Sequence, residues 1–229
     1  MKSTLQAVLN RSDIWSGDDL ARRQESVASG FTELDTLLPG GGWPRGALTE
    51  VIVAREGIGE LRLFIPTLAK LTREEQFIAC IAPPYLPYAP ALAQAGIVLS
   101  HFLVVRAQSL QEQLWAAEQV LRSGSISAVL FWLDTLKDLR RLQLAAEEGQ
   151  SLGVIFRRGA QQSSYAALRL ALAPARDLTR LEILKRRGGQ APPLFLNLNH
   201  VVDLPLFSSS SPASFCSGAR ATVRGRRLG

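Results

Sequence analysis

Residues 47–54, Ala-Leu-Thr-Glu-Val-Ile-Val-Ala, read as a buried strand. They run into Arg55-Glu56-Gly57-Ile58-Gly59-Glu60-Leu61-Arg62 and then into an apolar stretch with helical spacing. Strand, glycine loop and helix in this order begin a βαβ unit, so the chain is committed to a sheet with parallel strands. The same position is where a phosphate-binding loop, G-x-x-x-x-G-K-[S/T], would lie. In such a loop the glycines let backbone N–H groups close round the phosphates, the Lys reaches the β/γ oxygens, and the hydroxyl holds Mg²⁺. Here Ala54 fills the first glycine position and Gly59 the second, with Gly57 between them. Glu60 stands in place of the Lys and Leu61 in place of the Ser/Thr. A carboxylate repels a triphosphate and a leucine cannot ligate a metal.

The rest of the chain continues the alternation. A helix is predicted over about 58–72, with Leu61, Phe64, Ile65, Leu68 and Leu71 on one face and with Pro66 predicting a kink or a late start. Strands are predicted at Gln76–Ala82, His101–Arg106, Ser127–Leu133 and Leu152–Phe156. Helices are predicted near 88–95, over Ser109–Ser123 and over 135–148. Gly96 suits a left-handed helix end, and Ser109 with Glu112 forms a capping box. After residue 166 the pattern turns to hairpins, 167–173, 179–186 and 193–198, broken by Pro174 and by Gly188-Gly189. The expected fold class is α/β: a mixed sheet with a parallel centre and an antiparallel C-terminal edge, flanked by helices. Upstream, Phe31–Leu38 reads as a short helix capped by Thr32 or Ser29, stopped by Pro39 and followed by Gly40-Gly41-Gly42-Trp43-Pro44-Arg45-Gly46.

Three segments follow from composition: a polar arm 1–27, a globular domain 28–207 and a basic tail 208–229 expected to be disordered. Of the net charge of +6, the tail carries +4 through Arg220, Arg224, Arg226 and Arg227 with no acid, which leaves +2 for the body. The tail is therefore the candidate nucleic-acid contact, with Arg157, Arg158, Lys185, Arg186 and Arg187 as a second basic group whose ordinary role is that of solvated strand ends. In the arm, the isolated pair Ile14-Trp15 either anchors a partner or folds back on the domain. Trp115 and Trp132 lie in apolar runs and are expected in the core. Cys80 and Cys216 suggest neither disulfide nor metal site, and His101 and His200 read as core or strand-end residues. Without a cationic start and apolar leader, or an apolar run of membrane-spanning length, the chain is expected to be cytoplasmic, soluble and not membrane-bound.

The string Ser29-Gly30-Phe31-Thr32-Glu33-Leu34-Asp35 through Gly46 resembles the lead-in to the RecA-type ATPase core. The similarity continues through Arg122-Ser123-Gly124 and through Thr179–Lys185, covering roughly 28–200. More narrowly, Pro39-Gly40-Gly41-Gly42-Trp43-Pro44-x-Gly46-Ala47-Leu48-Thr49-Glu50 resembles the ImuA family, RecA-like accessories of a damage-induced mutagenesis cassette. Ile14-Trp15 is similar to that family's apolar-Trp-Arg-Gly element, with Ser16 in place of the Arg. The stretch 47–158 is also similar to SulA, an inhibitor of the division protein FtsZ, whose chains lack the Gly-Gly-Gly-Trp-Pro lead-in. On the RecA pattern the metal-associated acid falls at Trp132, with Asp134 two residues on, and the catalytic Glu falls at Pro84. The resemblance thus implies a degenerate phosphate loop and lost acids: a pseudo-ATPase, not an enzyme, with no cofactor or metal. It implies an adaptor in SOS-induced translesion synthesis, with RecA and the ImuB-type Y-family-like polymerase subunit as partners and single-stranded DNA as a further candidate. The alternative is a SulA-like division inhibitor that binds FtsZ.

Overall fold

The computed structural model of the protein describes residues 25–54, 57–133, 135, 138–159 and 164–199. Its centre is an eight-stranded sheet. In chain order the strands are β3 (Ala47–Val53), β4 (Phe77–Ile81), β5 (Phe102–Val105), β6 (Ile126–Trp132), β7 (Leu152–Arg158), β8 (Leu168–Ala175), β9 (Leu178–Lys185) and β10 (Leu194–Leu196). Their spatial order is β10-β9-β8-β3-β7-β6-β4-β5. From β8 to β5 every pairing is parallel, whereas β9 and β10 join antiparallel. This is the mixed sheet expected from the sequence: βαβ crossovers build the parallel part and a hairpin extends its edge.

The pleat sorts each buried strand between two cores. Val51, Val53, Ile78, Cys80, Leu130, Val154, Phe156 and Leu170 face α2 (Ile65–Arg73) and the lead-in segment. Leu48, Val129, Phe131 and Ile155 face α4 (Leu110–Arg122) and α5 (Leu139–Gly149). The lead-in itself comprises β1 (Ser26–Val27), α1 (Thr32–Leu37) and β2 (Trp43–Pro44), with β1 and β2 paired antiparallel. A short α3 (Ala89–Gln94) precedes Gly96, which adopts the expected left-handed φ of 87°.

Local expectations hold in some places and shift in others. Ser109 Oγ accepts from Glu112 N at 3.2 Å, and the Glu112 carboxylate accepts from Gln108 N at 2.8 Å, so the expected cap forms with its return bond one residue before the N-cap. The late start at Pro66 is also real: Glu60–Leu63 is a 3₁₀ turn and α2 begins only at Ile65, with Pro66 in its first turn. Neither Thr32 nor Ser29 caps α1. Phe31 holds the cap position, and Asp35 instead reaches back to Ser29 N at 2.9 Å. Helix α5 starts at Leu139 rather than 135, after Asp138 at a left-handed φ of 63°. Pro174 lies inside β8, not at the turn, which falls at Arg176-Asp177. It sits past Leu172, the last residue paired with β3, so its missing N–H interrupts no bond there.

Trp115 is corrected outright. It is 61% exposed on the outer side of α4, because Leu114, Ala117 and Leu121 supply the helix's inward face. Trp132 does enter the core, at 9% exposure. His101 stands at the start of β5, tilted over Phe77 at 4.9 Å. Cys80 is fully buried, and desolvation pushes its thiol up to about 12. His200 and Cys216 lie outside the described residues.

Candidate functional site

In open α/β sheets ligands approach the carboxyl ends of the parallel strands, so the loop leaving β3 is the first place to look. Ala54 follows the strand, and Arg55 and Glu56 lie outside the described residues. Gly57 and Gly59 then take left-handed φ values of 80° and 94°. Among the described residues, chain neighbours aside, no atom stands within 4 Å of a Cβ added at Gly57, so its requirement there is conformational. Glu60 follows, 1% exposed, with both carboxylate oxygens 3.1 Å from Gly57 N. Leu61, also 1% exposed, belongs to the core on the α2 face. The residues standing for Lys and Ser/Thr are therefore both internal: the carboxylate turns back into its own loop and the leucine into the core. Arg62 Nη1 ties the same turn to Asn199 Oδ1 at 3.0 Å.

Below this loop runs a row of aromatic rings. Trp43 stacks on Phe64 (centroids 4.6 Å apart), Phe64 meets Phe156 edge-on at 5.7 Å, and Phe156 stacks on Trp132 at 4.9 Å. The carboxylate that the RecA pattern places at the end of the central strand is thus replaced by an indole packed against β7. Pro84, at the position of the catalytic Glu, offers no side-chain acid or base after β4. Asp134 is outside the described residues. Among the described residues no group of three or more His, Cys, Asp or Glu stands together to hold a metal ion.

The glycine-rich lead-in is a clamp, a role that the sequence reading did not assign to it. A Cβ at Gly42 would lie 2.3 Å from Val27 O, and one at Gly30 would lie 2.4 Å from Pro66 Cβ. Thr67 Oγ1 donates to Ala28 O at 2.9 Å and accepts from Trp43 Nε1 at 3.1 Å. The lead-in is thereby bonded to the first turn of α2, immediately after the degenerate loop.

The basic group expected on the body does not assemble. Arg157 is 2% exposed and corrects its reading as a solvated strand end. Its Nη1 donates to Glu50 Oε1 at 2.7 Å, while Arg169 Nε donates to Glu50 Oε2 at 2.7 Å. Glu50 and Arg169 were not singled out from the sequence, yet a carboxylate at the centre of the buried run 47–54 demands a cation. Arg158 is exposed at the end of β7. Lys185 donates to Ser164 O (3.0 Å) and Ala166 O (2.7 Å), and Arg186 to Gly189 O, Gln190 O and Leu37 O. Because β9 runs antiparallel, Arg186 and exposed Arg187 lie toward the opposite end of the sheet from Arg158. Ile14, Trp15, Arg220, Arg224, Arg226 and Arg227 are outside the described residues.

Residues 46–153 match the family described as "Cell division inhibitor SulA". This stretch runs from Gly46, before β3, into β7, and so contains the loop, α2 and the central strand. SulA of Photorhabdus laumondii is 34% identical over 98 residues, 42% of this chain and 55% of that protein. SulA of Edwardsiella piscicida is 33% identical over 95 residues, 41% of this chain and 56% of that protein. This part of the chain is similar to SulA. A weaker similarity links it to RecA: that of Chlorobaculum parvum is 30% identical over 139 residues, 59% of this chain and 39% of that protein. The chain spans about half the length of the curated SulA relatives it matches and less of RecA. Among the described residues no helix is long and apolar enough to cross a membrane.

Proposed function

We propose that the chain works by binding another protein in the DNA-damage response, without turning over a nucleotide, and that it does so as a SulA-like inhibitor of cell division whose partner is FtsZ. The observation that carries this reading is the SulA match over 46–153, which includes the loop where Glu60 and Leu61 turn inward. The geometry supports the absence of turnover, because phosphoryl transfer needs a phosphate cradle, a metal site and an activated water together. Glu60, Trp132 and Pro84 stand where those functions would be.

A second reading has its own observation. Residues 26–45, upstream of the SulA match, are built into the fold through Trp43, Thr67 and the two sterically confined glycines. That lead-in carries the resemblance to ImuA, so the second reading is an accessory of translesion synthesis binding RecA and an ImuB-type subunit. Purified components separate the two. Under the first reading the chain suppresses FtsZ polymer in a sedimentation assay, and its expression makes cells filament. Under the second it leaves FtsZ polymer intact and co-elutes with purified RecA or ImuB in size-exclusion chromatography. Failure of all three partners refutes both.

A further inference from the structure

We propose that β5, the parallel edge of the sheet, pairs antiparallel with β5 of a second copy of the chain, joining two eight-stranded sheets across a two-fold axis.

The backbone and side chains of this edge are both left open. Val105 O accepts from Ala82 N at 2.8 Å, so the main-chain groups of Leu103 and Val105 are spent on β4. Alternation along the strand then turns the N–H and C=O groups of Phe102 and Val104 outward. Sheet edges are ordinarily guarded by a charge, a proline or a bulge, and Phe102–Val105 has none of the three. Neither face is covered: Leu103 is 41% exposed on the α4 side and Val104 38% on the α2 side. Val98 and Leu99 before the strand and Phe77 beside it, all exposed, extend the apolar strip.

The charges decide what covers this strip. Between Glu75 and Glu112 the chain carries one full charge, Arg106, which follows the carboxyl end of β5. Glu74 and Glu75 lie toward the opposite end, just before β4 begins at Phe77. All three are exposed, and among the described residues neither Arg106 nor Glu75 has an ion-pair partner. The edge is therefore apolar in the middle, positive at one end and negative at the other. A second copy turned end for end brings each positive end to a negative one, whereas a parallel approach sets like ends together. The backbone then selects the register. Phe102 and Val104 exchange hydrogen bonds with Val104 and Phe102 of the second copy, which sets Leu103 against its twin on the axis and Arg106 opposite Ser100. No like charges meet in this arrangement.

Sedimentation velocity on the full chain tests the pairing. The wild type should be a dimer at about 50 µM, with the Phe102 and Val104 amides protected from hydrogen exchange. Leu103→Lys places two lysines on the axis and should weaken the dimer roughly a hundredfold or more. Leu103 is exposed in the single chain, so this variant keeps its fold. Arg106→Glu and Glu75→Arg each bring like charges together at both ends, and each alone should weaken the dimer by about tenfold. Mixed in equal amounts, these two variants should recover wild-type association, because every end then meets its opposite. A wild type that stays monomeric at that concentration, its edge left to another protein's strand, overturns the proposal. So does a Leu103→Lys variant that dimerises as tightly as the wild type, or a mixture no tighter than its components. None of these readouts uses FtsZ, RecA or ImuB, so the outcome is independent of the partner reading.

Discussion

Glu50→Gln should be among the most damaging single substitutions in the described structure. Glu50 lies at 1% side-chain exposure between Arg157 (1%) and Arg169 (9%), 2.7 Å from each. Its neutralisation removes the carboxylate that Arg157 on β7 and Arg169 on β8 share inside the sheet. Removing one partner of a buried pair costs about 3–5 kcal/mol, and Arg157 loses its carboxylate at 1% side-chain exposure, so the loss should fall in that range. Arg157→Met should cost less, because Glu50 keeps Arg169, and because two Arg157 donors, Nε and Nη2, have no hydrogen-bond partner among the described residues. The triple change to apolar residues of similar volume should recover most of the loss, as buried ion clusters replaced whole are often neutral or stabilising. Urea denaturation of the four proteins measures the cost of each change. A Glu50→Gln penalty below about 1 kcal/mol, or a triple variant no better than Glu50→Gln, would refute the argument that charge pairing governs this site.

Calorimetry with millimolar Mg-ATP should show no heat of binding, and the double change Glu60→Lys with Leu61→Thr should not create hydrolysis, since Trp132 and Pro84 still leave the acid positions without carboxylates. Trp43→Ala should cost about 3–5 kcal/mol by urea denaturation, since it removes a fully buried ring stacked on Phe64 and the donor to Thr67. Cys80, its thiol held up at about 12 against an ordinary 9.0, keeps its proton in the folded state while the unfolded state releases it. Its contribution to stability should be complete below pH 9 and should fall by about 1.4 kcal/mol per pH unit from there toward 12, an effect that Cys80→Ala abolishes. Deleting 208–229 should remove most of any DNA affinity and flatten a log–log salt slope of about −3, the value for four phosphate contacts on a single strand.

The strands were readable because each is an apolar run bounded by turn residues, and the sheet class because helices alternate with those runs until residue 166 and then stop. The capping box at Ser109 and the delayed helix at Pro66 were readable for a stronger reason: each is decided within four residues by covalent geometry and one hydrogen bond. What escaped is what depends on strand order. Glu50 meets Arg157 and Arg169 only because β3 lies between β7 and β8, partners 107 and 119 residues away in the chain. Local composition marks Arg157-Arg158 as a charged strand end, and the pleat then sends the first inward and the second outward. Trp115 failed similarly: seven of the thirteen residues of α4 are apolar, and only the packed sheet decides which of them face it.

The degenerate loop lies between these cases. Its departure from the phosphate-loop pattern was plain from Glu60 and Leu61, because a carboxylate in place of Lys and an apolar side chain in place of a hydroxyl need no coordinates to read. Its geometry was not, since a glutamate in a glycine loop points outward as readily as inward until the residues after it are anchored. Leu61, Leu63 and Phe64 supply that anchor, and the lead-in clamp on Thr67 sets the first turn of α2 behind them. The segment that carries the resemblance to one family and the loop that lies within the match to another are therefore mechanically one unit. A change at Gly30 or Gly42 that displaces the lead-in should be felt at Gly57, which makes that amide a reporter for both.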